Sequence, residues 1–247
     1  MPEAGRDTSS GTLAQNMFPF SRAALTPRHP VALFAVTELI YIALVRLLVF
    51  NFHGSFISLE LFWTALRLIS LIVLVALFKA IIWRPADQRK FPLFVIPVSV
   101  AFLMIPFLVG HIGIPAPAKY IFAATSLVVG FREEIAYRGI LQRLLFDRYG
   151  MLIAILASNV LFVFYHFGTQ PITVWGVFQW FAAGTVLGML YQITGSIALV
   201  ALLHTGIDAV AALTPLIAVR APEWIGMIIF TGIIILLTKI WLTSRCT

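Results

Sequence analysis

Six ionisable residues lie in strongly apolar surroundings, and their types suit hydrolytic chemistry. They are Glu133, Glu134, Arg138, His166, His204 and Asp208. Amide hydrolysis needs a water molecule, a general base that takes its proton, and a donor or cation where the oxyanion develops. Carboxylates and imidazoles supply these functions, and histidines with carboxylates also form catalytic zinc sites that keep one position open for water. These residue types are therefore candidates for acid–base or metal-assisted chemistry inside an apolar protein.

Helical spacing gives the two adjacent glutamates different expected roles. Glu134 and Arg138 are an i, i+4 pair on one helical face. Glu133 points about 100° away from Glu134 on a regular α-helix. We therefore expect Glu134 and Arg138 to form a local salt bridge that fixes the helix. Glu133 has no partner on its own helix, so the spacing predicts that it is the functional carboxylate and that the two glutamates do not share a task.

The composition places these charges in a membrane. Hydrophobic residues make up 61% of the 247-residue chain and charged residues 11%, against about 25% charged residues in soluble domains. A membrane-spanning helix needs about 20 apolar residues, and continuous apolar runs favour helices over barrel strands. The sequence therefore predicts an all-α polytopic bundle with about eight spans, at 31–50, 61–83, 92–109, 119–137, 151–167, 174–193, 196–213 and 222–242.

The distribution of basic residues predicts the orientation. With the N-terminus inside, ten basic residues fall on the cytoplasmic side: Arg22, Arg28, Lys79, Arg84, Arg89, Lys90, Arg143, Arg148, Lys239 and Arg245. Four fall on the opposite side: Arg46, Arg67, Lys119 and Arg220. We expect both termini in the cytoplasm of a cell whose inner membrane holds the protein.

Contact with anionic lipid headgroups explains the net charge of +7. Binding to nucleic acid is disfavoured because the basic residues do not gather on one soluble face.

Residues 1–28 are expected to be a flexible cytoplasmic tail before a single transmembrane domain at 29–247. The lone Cys246 excludes an internal disulfide and a cysteine-based zinc site.

A hairpin between the fourth and fifth spans would place Glu133 beside His166. Glu133 lies 16 residues before Tyr149 (149 − 133) and His166 lies 17 residues after it (166 − 149). A turn at Tyr149 and Gly150 therefore gives them about equal height within the membrane, provided that residues 142–148 protrude into the cytoplasm.

His204 and Asp208 share a face of the seventh span at i, i+4. An intramembrane polar chamber of the fourth, fifth and seventh helices follows.

Three further charges within the spans are expected to be structural. Arg46 and Arg67 lie near predicted span ends, where a long side chain can reach the headgroups. Glu38 is expected to pair with another helix, because an isolated charge at the bilayer centre costs about 2.5–3.5 kcal/mol.

Three motifs carry a resemblance to a known family. EEIAYRG at 133–139, FVFYH at 162–166 and HTGID at 204–208 resemble the EExxxR, FxxxH and HxxxN or HxxxD motifs of the CPBP intramembrane protease family. That family includes the CAAX prenyl endopeptidases and bacterial proteins linked to bacteriocin self-immunity and peptide processing. The motif region covers about Lys119 to Leu213, which is the expected catalytic core.

The resemblance implies a role for each motif residue. Glu133 and His166 would hold and activate a water, while His204 and Asp208 would stabilise the oxyanion or complete a metal site. Glu134 and Arg138 would orient Glu133, and Phe162 would pack beneath His166. A Zn²⁺ ion held among Glu133, His166, His204 and Asp208 is one alternative. The HExxH helix of the zincins is absent, and a metal-independent glutamate protease is the other alternative.

Two non-proteolytic functions stay open at this point. One is an immunity or scaffold protein that retains the chamber, and the other is a transporter whose buried carboxylates bind protons or ions. A transporter would favour repeated halves with broken spans in matching positions, and the sequence shows neither. The expected partners are a peptide or protein substrate and membrane lipids. The identity of the substrate, a requirement for prenylation and the oligomeric state are left open.

Overall fold

The computed structural model describes residues 29–84, 93–109, 116–167, 172–213 and 222–243. The predicted tail at 1–28 and Cys246 lie outside the described residues. So do six of the basic residues that predict the orientation: Arg22, Arg28, Arg89, Lys90, Arg220 and Arg245.

The described part of the chain forms an all-α bundle, as predicted. It contains α1 (Pro30–Asn51), α2 (Phe56–Ile82), α3 (Val95–Val109), α4 (Ala116–Glu134), a π-helix (Ile135–Gln142), α5 (Arg143–His166), α6 (Val174–Thr194), α7 (Ile197–Leu213) and α8 (Glu223–Thr243). The eight α-helices correspond in order to the eight predicted spans.

Local sequence explains where several helices begin and end. Pro30 opens α1, where its fixed φ suits a helix and its missing N–H is not needed. Ser55 and Thr173 cap α2 and α6 by accepting from the backbone N–H of Ser58 and Gly176. Gly195 has φ 65° between α6 and α7, a left-handed conformation that glycine adopts without strain.

Length and composition support a membrane-embedded bundle. Five helical segments in the described ranges are long and apolar enough to cross a membrane, and α3 and α7 are shorter apolar helices. One of the five segments extends from Pro117 to His166. The helix is broken within it at Gly150, whose φ of 78° and ψ of 175° are not helical. The predicted turn at Tyr149 and Gly150 is therefore confirmed.

The segment before that turn departs from the prediction. A protruding stretch at 142–148 was expected, but Gln142 is fully buried and donates to the carbonyl of Gly188. Arg143 is half-buried and donates to the carbonyls of Ile81, Ile82 and Arg84 at the end of α2. Exposure begins only at Phe146. The prediction is wrong for the first part of the stretch because polar side chains there satisfy backbone carbonyls of neighbouring helices.

Two apolar clusters hold the bundle together. One is built mainly from α3, α6, α7 and α8, and the other from α1, α2, the π-helix and α5. In the first cluster Phe102 packs against Phe230, with ring centroids 6.0 Å apart. Phe34 against Phe78 represents the second, at 6.2 Å. Helix α4 packs against α2 and α7, so its polar end lies where the two halves meet.

Candidate active site

The two glutamates end α4 at the point where the helix widens. From Ile135 to Gln142 the backbone forms a π-helix, and all eight of its residues are buried. Such widened turns are rare and occur frequently at functional sites. Arg138 still reaches Glu134 across the junction, with Nη1 to Oε1 at 2.9 Å and both side chains fully buried. The predicted local salt bridge is therefore present.

Close contact between α4 and α7 brings the second histidine to these glutamates. Gly130 lies where α4 meets Ala201 and Thr205 of α7. A Cβ at Gly130 would lie 2.5 Å from Thr205 Oγ1 and 2.7 Å from the carbonyl oxygen of Ala201. Only a residue without a side chain allows this approach. Because His204 immediately precedes Thr205, the contact sets how close its ring comes to α4.

The His204 ring lies between the two glutamates. Its Nδ1 is 2.7 Å from Oε1 of Glu134, and its Nε2 is 3.8 Å from Oε2 of Glu133. Both glutamates thus face one imidazole, which the helical spacing did not predict, and the expectation that they have separate tasks stays a prediction. Glu134 does more than neutralise Arg138, because its contact with Nδ1 orients the ring. A carboxylate that orients a histidine in this way fixes which nitrogen faces the reacting groups.

Asp208 lies on the same face of α7, one turn after His204. Its Oδ2 is 3.7 Å from His204 Nε2, which is too long for a hydrogen bond. The Asp208 side chain is 21% exposed, whereas those of Glu133 and His204 are 2% and 9% exposed. Asp208 is therefore the most accessible member of this group, and Nε2 of His204 points into the space between two carboxylates.

Phe162 joins the first histidine to the rest of the group. Its ring centroid is 4.6 Å from that of His166 and 5.9 Å from that of His204. The Arg138 guanidinium lies 4.8 Å from the same ring. The predicted packing of Phe162 against His166 is confirmed. Glu133 and His166 interact electrostatically, and their equal height stays a prediction of the hairpin.

The seven motif residues therefore belong to one cluster, which is buried except for the partly exposed Asp208. Residues 115–210, which contain this cluster, match the model of the Rce1-like family, described as type II CAAX prenyl endopeptidase Rce1-like. This segment is therefore similar to that family. The match confirms the resemblance drawn from the three motifs and supports intramembrane endopeptidase activity on a peptide or protein substrate. Neither the curated proteins nor the solved structures gave a significant match to the chain.

The matched segment contains further site residues that spacing did not reveal. Trp180 of α6 stacks on His166, with ring centroids 4.9 Å apart and planes at 23°. Nothing in the sequence around Trp180 distinguishes it from an aromatic packing residue. Trp180 and Phe162 both contact the His166 ring, so both aromatic residues restrict its movement.

Glycines on α6 accommodate the polar side chains of the π-helix. Arg138 Nη2 donates to the carbonyl of Gly184 at 3.0 Å, and Gln142 donates to that of Gly188 at 3.0 Å. A Cβ at Gly184 would lie 3.0 Å from Arg138 Nη2 and 2.6 Å from Asn159 Oδ1. The GxxxG spacing on an apolar helix is a sequence signal for such an approach, and it could have identified this contact.

Two arginines outside the matched segment form hydrogen bonds within the bundle. Arg67 is only 3% exposed and binds Oε1 of Glu60 at 2.8 Å, with its guanidinium 4.1 Å from the Trp63 ring. Arg46 is half-buried and donates to the carbonyl of Tyr165 at 3.3 Å. The prediction that Arg67 reaches the headgroups is wrong, because Glu60 binds it inside the bundle. The expected structural role holds for both arginines, since each bonds to another group of the bundle. Glu38 pairs with Arg132 of α4, as the expected partnership with another helix requires.

The donors for a metal ion are present in type but not in arrangement. Among the described residues, no three His, Cys, Asp or Glu side chains are placed to hold a metal ion together. His204 Nε2 faces Glu133 and Asp208, but its Nδ1 is already engaged by Glu134. We therefore derive no step through a metal. Zinc binding stays a prediction from the residue types.

Proposed function

We propose that the protein is an intramembrane endopeptidase that hydrolyses a peptide bond of a peptide or protein substrate within or near the membrane. The observation that carries this proposal is the environment of Glu133. Its side chain is 2% exposed, and its Oε2 accepts no hydrogen bond from any described residue. A buried acceptor without a donor is costly, so its presence calls for an explanation such as a chemical use. Glu133 lies beside two histidines, in a segment that is similar to a family of endopeptidases.

Glu133 is the proposed general base. Its carboxylate takes one proton from a water held between Glu133 and His166, and the water oxygen attacks the carbonyl carbon of the substrate. The electrons of the carbonyl double bond move to its oxygen, which gives a tetrahedral oxyanion. When this intermediate collapses, the C–N bond breaks and the leaving amine takes the proton from Glu133. The base is thereby regenerated without any further reactant.

His204 and Asp208 are the proposed groups at the oxyanion. The Glu134 carboxylate accepts a hydrogen bond from His204 Nδ1, which leaves Nε2 directed toward Glu133 and Asp208. A ring that also donates through Nε2 must carry both protons. Asp208 can donate to an oxyanion only in its protonated form, because an ionised carboxylate only accepts. Each donor removed from such a site costs about 10²–10³ in kcat.

The orientation remains part of the proposal. We place the protein in the inner membrane of the cell with both termini in the cytoplasm, and substrate access from that side. Arg84, one of the basic residues assigned to the cytoplasmic side, follows α2 and forms a bidentate ion pair with Asp147 at the start of α5. Both side chains are about half-exposed. Hydrogen bonding to Asp147 raises the pKa of Arg84. Reporter fusions at each terminus and within the α2–α3 connection test this topology directly.

The decisive experiment compares the purified protein with its Glu133→Gln variant. Each is incubated with the host membrane fraction, and new peptide termini are identified by mass spectrometry. Two quenched-fluorescent peptides ending in a CAAX box, one prenylated and one not, are assayed in parallel. We expect cleavage products with the wild type and none with Glu133→Gln. Asp147→Asn is the control, since it removes a carboxylate outside the site.

Other outcomes would point to the remaining functions. Equal product formation by wild type and Glu133→Gln would exclude Glu133 as the base. An absence of products from any substrate would favour a non-proteolytic scaffold, and ion or proton flux in proteoliposomes would favour a transporter. Elemental analysis of the purified protein, with and without chelation, measures any dependence on zinc.

A further inference from the structure

Helix α1 lies outside the family-matched segment, yet its inward face carries polar groups. Its buried residues are Phe34, Glu38, Tyr41 and Val45, which follow the i, i+3, i+4 spacing of one helical face. A charged residue on the buried face of a membrane helix is costly without a partner. The partners of Glu38 and Tyr41 identify what this face does.

Glu38 holds the residue that precedes the proposed base. Its Oε1 accepts from Nη2 of Arg132 at 2.7 Å, and the side chains are 7% and 0% exposed. Ser70 of α2 accepts from Nε and Nη2 of the same guanidinium, each at 3.2 Å. Arg132 is thus fixed by two other helices. Because Arg132 and Glu133 are adjacent on one backbone, fixing Arg132 restrains the position and rotation of the end of α4.

Tyr41 contacts the residues that precede both proposed catalytic residues. The guanidinium of Arg132 lies 3.7 Å from the Tyr41 ring centroid. The rings of Tyr41 and Tyr165 stack with centroids 6.1 Å apart and planes at 22°, and their hydroxyls are 3.3 Å apart. Tyr165 immediately precedes His166. One side chain of α1 therefore connects the backbone of Glu133 with that of His166.

Arg46 acts at the same end of α5. Its Nη2 donates to the carbonyl oxygen of Tyr165 at 3.3 Å. The last four carbonyls of an α-helix have no intrahelical donor, and α5 ends at His166. Arg46 therefore supplies a donor to one of these carbonyls directly beside the histidine.

We propose that α1 is a positioning element for the site, which sets the distance between Glu133 and His166 through Glu38, Tyr41 and Arg46. The inference rests on the proposed function, since it concerns the same two residues. These three side chains do not touch the reacting atoms. Their loss should lower kcat with little change in KM, because the substrate still binds while the base and the histidine are misplaced. A displacement of about 1 Å can reduce turnover by about 10².

The test uses full-length variants and two independent measurements. Glu38→Gln and Tyr41→Leu should each reduce kcat at least about tenfold. Tyr41→Phe keeps the ring and should retain activity within about threefold, so it serves as the conservative rescue. Ile40→Ala, at a position 56% exposed on the opposite face of α1, is the matched control. The substrate is whichever peptide the wild type cleaves in the comparison with Glu133→Gln.

The second measurement does not depend on activity. With ¹⁵N-labelled histidine, the ring signals of His166 are assigned by their loss in His166→Ala. We expect Glu38→Gln and Tyr41→Leu to shift or broaden these signals, and Ile40→Ala to leave them unchanged. If the wild type cleaves nothing, the proposed function fails, and the His166 signals alone decide whether α1 positions this residue. Unchanged His166 signals, or an unchanged kcat in a cleaving protein, would overturn the inference.

Discussion

Gly130→Ala tests whether the crossing of α4 and α7 assembles the site. Ordinary contact distances for a Cβ begin at 3.4 Å, but a Cβ here would lie 2.7 Å from the carbonyl oxygen of Ala201. The deficit of 0.7 Å (3.4 − 2.7) involves a backbone atom, which cannot rotate away. Thr205 Oγ1 would lie nearer still, at 2.5 Å, and it is held by a hydrogen bond to Ala201 O. The two helices must therefore move apart.

The size of that movement sets the expected effect on activity. If α7 moves away by the full deficit, the 2.7 Å contact between His204 Nδ1 and Glu134 lengthens toward 3.4 Å (2.7 + 0.7), and that with Glu133 lengthens similarly from 3.8 Å. Displacements near 1 Å can cost about 10² in rate, so we expect a loss in kcat of at least tenfold. Overpacking costs about 1–3 kcal/mol, but alanine recovers about 1 kcal/mol of helix propensity over glycine. The melting temperature should therefore change less than the activity.

The assay measures kcat on the cleaved peptide together with the melting temperature in detergent. Gly232→Ala is one control, because a Cβ there meets nothing within 4 Å. Gly206→Ala is a closer control on α7 itself, since its Cβ would meet only the tip of Leu103, at 2.8 Å. Both should keep near wild-type turnover. Wild-type kcat in Gly130→Ala would refute the argument that this contact sets the position of His204.

Three other substitutions give distinct outcomes. Arg138→Met leaves the buried Glu134 with His204 as its remaining partner and without its arginine, so the free energy of unfolding should fall, by up to about 3–5 kcal/mol, together with activity; inactivity at an unchanged melting temperature would instead indicate a chemical role. Asp208→Asn should keep or raise turnover if the residue serves the oxyanion, because asparagine always donates; a sharp loss that excess zinc restores would identify a metal ligand. Gly184→Ala places a Cβ 2.6 Å from Asn159 Oδ1 and should destabilise by about 1–3 kcal/mol, which an unchanged melting temperature would contradict.

The residues of the site were predictable because a membrane makes idle charges costly. Glu133 and His166 stand out in an apolar sequence, and their nearly equal spacing from the turn at Tyr149 and Gly150 predicts similar heights. The contact of His204 with both glutamates was not predictable in the same way. It depends on how closely α4 and α7 cross, and on a π-helix that begins directly after Glu134. An α-helical projection of the sequence shows neither how closely two helices cross nor where a π-helix begins.

An error in one helix boundary changed the interpretation of Arg67. The predicted second span begins at residue 61, whereas α2 begins at Phe56. Glu60 lies just outside that predicted span, and Arg67 lies near its start, where access to headgroups is expected. In the structure Glu60 is inside the helix, accepts from Arg67 at 2.8 Å and also accepts from Thr125 of α4 at 2.8 Å. A run of hydrophobic residues locates a membrane span well. It predicts the ends of the span poorly when the helix continues through a charged residue that is buried in an ion pair.

The pairing of buried charges provides an independent argument for Glu133. Three other buried glutamates in the described ranges each form a direct ion pair with an arginine: Glu38 with Arg132, Glu60 with Arg67 and Glu134 with Arg138. These pairs offset most of the cost of removing a charge from water. Glu133 is equally buried, but its nearest basic group is the His204 ring at 3.8 Å. The contrast between three closely paired carboxylates and a fourth without an arginine partner supports the proposal that Glu133 is the general base.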